Sequence, residues 1–156
     1  MNSILYWNEV ALEANRVSHS NDKKEQTGPT LSSRALSMVH LAMYGAYAGV
    51  INNIATHPMY EAGAGIAPAG ASYRAAVAAA AHFMLGKLFP SQKSFFDEKY
   101  RQAGLTGNGL IEGRDFGLKV AGLLWNERKN DPDAGDLGYS SLNGRGRHRP
   151  DPDNPK

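Results

Sequence analysis

The chain has 156 residues, enough for one domain with a buried core, and its 17 basic and 15 acidic residues leave a net charge of +2. That near balance gives no reason to expect a nucleic-acid partner. The absence of cysteine excludes disulfides and thiolate metal sites.

Apolar residues at helical spacing predict a first helix over 4–19 and a second from Ser32 to about Asn52. Thr30, Ser32 or Ser33 is expected to cap the second helix, and small residues within it indicate close packing against a neighbour. The residues expected on the inner face of the first helix are Leu5, Ala11, Leu12 and Val17, with Trp7 and Val10 beside them. The small residues of the second helix are Gly45, Ala46, Ala48 and Gly49.

Three further helices follow. Ser72 is expected to start an alanine-rich helix that runs to Leu88 and stops at Pro90, and Ser91 to cap a short helix that ends at Gly104. A fifth helix is predicted over 110–129. Its expected apolar surface consists of Ile111, Phe116, Leu118, Val120, Ala121, Leu124 and Trp125.

The composition changes after this point, because glycine and proline crowd into residues 130–156. The sequence therefore predicts an all-α fold in two parts: a helical bundle over 1–129 and a long irregular connection over 130–156. Glu9 and Glu13 in the first apolar segment exclude a signal peptide, and the longest apolar run, 75–85, is too short to cross a bilayer. We expect a soluble protein, in a compartment that the sequence does not identify.

One constellation has the spacing of an oxyanion site: Ser33-Arg34 followed after five residues by His40. His40, Tyr44 and Tyr47 also fall on one face of the second helix. They form either a buried, hydrogen-bonded polar cluster or a ligand-binding or catalytic group. Glu-x-x-His pairs, a nucleophile elbow, a zinc helix and a Walker loop are absent from the sequence.

Several segments, in this order, resemble vanadium-dependent haloperoxidases, which belong to the same superfamily as acid phosphatases. The resembling segments are Ile4-Leu-Tyr-Trp-Asn-Glu-Val-Ala-Leu-Glu-Ala-Asn-Arg16, Gly28-Pro-Thr-Leu-Ser-Ser-Arg-Ala-Leu36, His40-Leu-Ala-Met-Tyr44, Ala79-Ala-Ala-His-Phe83, Leu88-Phe-Pro-Ser91 and Arg147-His-Arg-Pro-Asp-Pro-Asp-Asn-Pro155. The resemblance implies two four-helix bundles, of which this chain is the first. It also implies a bound vanadate on which hydrogen peroxide oxidises halide, so that organic substrates are halogenated.

The family's vanadate-binding motifs are Lys-x6-Arg-Pro, Pro-Ser-Gly-His and Ser-Arg-x5-His. Arg149-Pro150 has Leu142 where the first motif has lysine, and Pro-Ser-Gly-His does not occur. Arg34 and His40 match the third motif, but they precede the place where the family carries it. They are candidates for an anion site, and the resemblance implies a structural role for them instead. No catalytic residue and no vanadate ligand is then expected in this chain.

The implied partners are a C-terminal catalytic half, in cis or as a second chain, together with halide, hydrogen peroxide and small organic substrates. A homo-oligomer stays open, and no nucleic acid or membrane partner is expected. Two alternatives remain at the level of sequence: a non-catalytic helical interaction module derived from the family, and half of a related acid phosphatase.

Overall fold

The computed structural model describes residues 2–51, 57–60, 62–131 and 145–146. Within these ranges it contains five α-helices, two short 3-10 helices and no strand, which confirms the predicted all-α class. The α-helices are α1 (Ser3–Ser20), α2 (Pro29–Ile51), α3 (Tyr73–Leu88), α4 (Lys93–Gln102) and α5 (Leu110–Arg128), and the 3-10 helices are Ala62–Ala64 and Pro90–Gln92. Most of the predicted connection, residues 132–144 and 147–156, lies outside the described ranges. No helix in the described part of the chain combines the length and the apolar character needed to cross a membrane.

Helix α3 is the centre of the bundle. It contacts each of the other four helices, most extensively α5 and α2. Every side chain from Ala75 to Ala81 is buried, so the alanine-rich segment packs on all sides. The side chains are small, and neighbouring helices can therefore approach the α3 backbone closely.

The closest of these approaches is made by glycines at every fourth position of α5 and its N-cap: Gly109, Gly113 and Gly117. A β-carbon at Gly113 would collide with the Ser72 carbonyl oxygen, and one at Gly117 with the Ala76 carbonyl oxygen. The Ser72 N–H donates to the Gly109 carbonyl at 2.9 Å. We call this row of three residues the glycine seam. It allows the α5 backbone to lie directly on α3.

Helix α5 also packs against α2, where side chains of α5 lie against glycines of α2. A β-carbon at Gly45 would lie 2.9 Å from Val120 Cγ1, and one at Gly49 would collide with the Phe116 ring. The close packing predicted from the small residues of α2 is thereby confirmed. Since residue numbers rise along α2 and fall along α5 at these contacts, the two helices are antiparallel.

The start of α2 differs from the prediction. The helix begins at Pro29, which suits the first helical position because its fixed φ fits the helix and it has no N–H to leave unpaired. Gly28 before it has φ +87°, a conformation that favours glycine. The predicted caps Thr30, Ser32 and Ser33 lie inside the helix, and the Ser32 hydroxyl donates to the Gln26 carbonyl at 2.9 Å instead. The capping prediction for α2 is therefore wrong.

The N-cap predicted for α3 is confirmed, whereas the N-cap predicted for α4 is wrong. Ser72 is the N-cap of α3 and its hydroxyl oxygen accepts from the Ala75 N–H at 3.3 Å, as predicted. Ser91 does not cap α4, because it lies in the 3-10 turn before that helix and donates its N–H and hydroxyl to the Glu25 carboxylate at 2.9 and 2.6 Å. The short helix also ends at Gln102, before the predicted Gly104.

Four residues expected on inner faces are exposed. Leu5 is 62% and Ile111 64% exposed, and Leu12 and Leu118 are exposed as well. Helices α1 and α5 each carry apolar residues on two opposite sides, and a helical period does not say which side meets the core. The core side of α1 consists of Trp7, Val10, Ala11, Ala14 and Ser18.

Candidate functional site

Arg34 joins the beginning of α2 to the end of α5. Its Nη2 donates a hydrogen bond to the carbonyl oxygen of Arg128, in the last turn of α5. Its Nε lies 3.6 Å from Asp131 Oδ2, and the Arg128 Nε lies 2.9 Å from the same oxygen. Two guanidinium groups therefore share one carboxylate beside the end of α5.

The position of this guanidinium has a simple physical reason. The last carbonyl groups of a helix lack hydrogen-bond donors within the helix and form its negative end. A cationic donor placed there supplies a hydrogen bond and offsets the negative charge. The Arg34 side chain is only 17% exposed, and its buried Nε has no hydrogen-bond acceptor. Its charge is thus compensated by the Arg128 carbonyl and by the nearby Asp131 carboxylate.

A surface cleft of about 450 Å³ opens beside these groups. Hydroxyl groups add to its polar lining, although that of Ser33 already donates to the Pro29 carbonyl at 2.7 Å. The lining residues are Thr30, Ser33, Arg34, Ser37, Met38, Leu41, Arg128 and Asp131. The cationic groups of the cleft, Arg34 and Arg128, are therefore already paired with the Asp131 carboxylate.

His40 faces a different part of the molecule. It is exposed, and its Nε2 lies 3.0 Å from Asn8 Oδ1 of α1. Tyr44 is half-buried, and the half-buried Tyr47 packs edge-on against Tyr73 with ring centroids 5.8 Å apart. The three residues of this face are hence partly open to solvent and do not form a buried cluster.

The structure does not bring Arg34 and His40 together. Arg34 reaches the Arg128 carbonyl on α5, whereas His40 reaches Asn8 on α1. A bound vanadate would need both side chains directed at one volume. Because the two side chains contact different helices, these candidates do not fit that group.

A second polar cluster, not foreseen from the sequence, joins α3 to α4. His82 Nε2 lies 2.7 Å from Asp97 Oδ1, and Lys93 Nζ lies 2.6 Å from Asp97 Oδ2. The hydrogen bond from Lys93 and then that from His82 lower the pKa of the Asp97 carboxyl group. The i, i+4 spacing of Lys93 and Asp97 was visible in the sequence, whereas the contact from His82 depends on the packing of two helices. Among the described residues, no three histidine or carboxylate side chains are grouped so that they could hold a metal ion.

Comparison with known proteins gives two findings. A family model described as the vanadium chloroperoxidase N-terminal domain matches residues 1–156. The vanadium chloroperoxidase of Curvularia inaequalis is 56% identical to this chain over 46 residues, which make up 30% of the chain and 7% of that protein. The aligned region thus spans only a small part of that relative's length.

Proposed function

Because the chain belongs to the vanadium chloroperoxidase N-terminal domain family, we propose that it is the structural N-terminal half of a vanadium-dependent haloperoxidase. The family match over residues 1–156 is the observation that carries the proposal. The complete enzyme would oxidise halide with hydrogen peroxide at a bound vanadate and halogenate small organic substrates. The vanadate ligands would then come from a C-terminal half, in the same polypeptide or in a second chain.

In this proposal Arg34 and His40 are structural residues. Two observations support that role: each side chain is engaged by a neighbouring helix, and the two face different neighbours. An imidazole that held vanadate would direct a nitrogen at the anion, whereas the Nε2 of His40 is directed at Asn8. The Ser-Arg-x5-His spacing is then a feature of the α2 helix and its packing.

The activity of the isolated chain tests the proposal. The 156-residue protein is mixed with vanadate, hydrogen peroxide, bromide and a phenol-type probe, and the brominated product is measured against added vanadate. We expect no vanadate-dependent bromination, while the Curvularia inaequalis vanadium chloroperoxidase serves as the positive control. Product that rises with vanadate in the isolated chain would show that the chain contains a complete site.

Mass spectrometry of the native protein tests the predicted partner. A native mass above 16.9 kDa that is not a multiple of this value, or a co-purifying chain that contains Pro-Ser-Gly-His, is expected if a catalytic half accompanies this one. A stable monomer of 16.9 kDa as the sole native species would contradict the proposal and favour a non-catalytic interaction module.

A further inference from the structure

We propose that Arg34 is a positioning residue that anchors the last turn of α5 to α2 and thereby fixes the direction in which the chain leaves the bundle. The anchor is inferred from contacts within the described residues. Its role in orienting a connection to a catalytic half rests on the function proposed above. Hydrogen exchange and fluorescence test the anchor itself.

The contacts between the antiparallel helices α2 and α5 follow one another in order along their interface. Gly49 faces Phe116, Gly45 faces Val120, and Arg34 reaches the Arg128 carbonyl. Arg34 is therefore the contact at the end of the α2–α5 interface, next to the point where the chain continues beyond α5. It is 94 residues from Arg128 in sequence, so it ties together two distant parts of the chain.

Other tertiary contacts are few at this point among the described residues. Leu124 is the last buried side chain of α5, the half-buried Trp125 packs against the core, and residues 126–130 are exposed. Helix ends that lack buried contacts open readily, because only their own backbone hydrogen bonds hold them. The Arg34 guanidinium adds a contact from outside the helix to the Arg128 carbonyl and to Asp131.

The chemistry of the Arg34 side chain also suits this role. A guanidinium group has a planar fork of donors and can serve a carbonyl and a carboxylate at once, whereas an ammonium group is a single point of charge. A cation also suits the negative end of α5 better than the N-terminal part of α2 in which Arg34 stands. Its placement is thus explained by what it does for α5.

Amide hydrogen exchange measures the anchor directly. Exchange is compared between residues 125–131 and the core of α3 in the wild type, in Arg34→Lys, Arg34→Met and Asp131→Asn. We expect exchange in 125–131 to rise about tenfold in the two Arg34 variants and less in Asp131→Asn, with α3 unchanged. Arg16→Lys, which alters an exposed arginine paired with Glu13 on α1, is the matched control and should leave 125–131 unchanged.

Trp125, in the last turns of α5, provides a second readout. In a Trp7→Phe background its fluorescence reports this end of the helix alone, because the chain has two tryptophans. We expect acrylamide to quench it more strongly when Arg34→Lys or Arg34→Met is added. The variants are compared with that background and not with the wild type, since Trp7 is itself part of the core.

Two results would overturn the inference. Exchange in 125–131 that stays at the wild-type level in Arg34→Lys would show that the guanidinium holds nothing there. An equal rise in α3 and in 125–131 would show a general loss of stability instead of a local anchor. If Arg34→Met does not fold, Arg34→Lys and Asp131→Asn decide by the same criteria. These measurements use no vanadate or peroxide, so a negative result for the anchor would not contradict the proposed function. Bromination by the isolated chain, in turn, would contradict the proposed function and not the anchor.

Discussion

Asp97 is the residue through which α4 is held electrostatically to α3. One carboxylate oxygen accepts from Lys93 of its own helix and the other lies beside His82 of α3. These contacts favour the charged form, which is why the pKa of Asp97 lies below its ordinary value of 3.8. Because the side chain of Asp97 is 41% exposed, water screens these contacts and we expect their contribution to stability to be small.

The sign of that dependence follows from the lowered pKa. The unfolded chain takes up the proton at a higher pH than the folded one, so the stabilisation is complete above 3.8 and is lost as the pH falls through the folded pKa. We expect the wild type to melt at a higher temperature than Asp97→Asn at neutral pH and the difference to disappear well below 3.8. Thermal melts at several pH values measure it. Asp115→Asn, in an exposed pair with Arg114, is the control and should show a small difference at every pH.

At the scale of elements, the α3–α5 pair depends on the glycine seam. Two of its members would place a β-carbon against backbone oxygens of Ser72 and Ala76, which belong to the start of a central helix and cannot rotate away as a side chain could. Any substitution there must push the helices apart. The seam therefore requires its glycines for packing, whereas helix propensity alone would favour alanine.

Gly117→Ala and Gly122→Ala form a matched pair on α5. A β-carbon at Gly122 meets nothing within 4 Å, so this substitution should stabilise the protein by about 0.5–1 kcal/mol through helix propensity. Gly117→Ala should instead destabilise it by about 1–3 kcal/mol, because the added methyl group overpacks the seam. Chemical denaturation gives both values. Equal effects of the same sign would refute the packing argument.

At the scale of the whole molecule, α5 has a buried side and an exposed side that the apolar residues alone do not distinguish. Leu124 is 2% exposed and packs in the core, whereas Leu118 is 38% exposed. We expect Leu124→Ala to cost about 2–5 kcal/mol of unfolding free energy, as for other buried leucines. Leu118→Ala, the matched control, should cost less than about 1 kcal/mol. Similar losses at both positions would mean that the outer side of α5 is covered in solution.

The order and approximate limits of the helices could be predicted from the sequence, because capping serine, proline and apolar spacing act locally. Ser72 before the alanine-rich segment and Pro90 after it show this most clearly. The inward sides of α1 and α5 could not be predicted, since Leu5 and Ile111 follow the helical period as well as Trp7 and Phe116 do.

The candidate site could likewise be predicted only in part from the sequence. The spacing of Arg34 and His40 could be read from the chain, but their partners Arg128 and Asn8 are brought to them only by the packing of separate helices. The glycine seam, by contrast, could be predicted from the four-residue spacing of Gly109, Gly113 and Gly117. Small residues at this spacing indicate a close approach of two helix backbones, which the recurrence of apolar side chains does not reveal.

The glycine seam also determines where the polypeptide can be divided. In the segment between α4 and α5, residues 103–109, Gly109 belongs to the glycine seam and Leu105 packs against the core, whereas Thr106, Gly107 and Asn108 are exposed. A cut between Thr106 and Gly107 would sever one surface loop and leave every contact of α5 with α2 and α3 in place. We therefore expect fragments 1–106 and 107–156 to recover structure when they are mixed, and the extent of recovery would report how strongly α5 binds to α2 and α3.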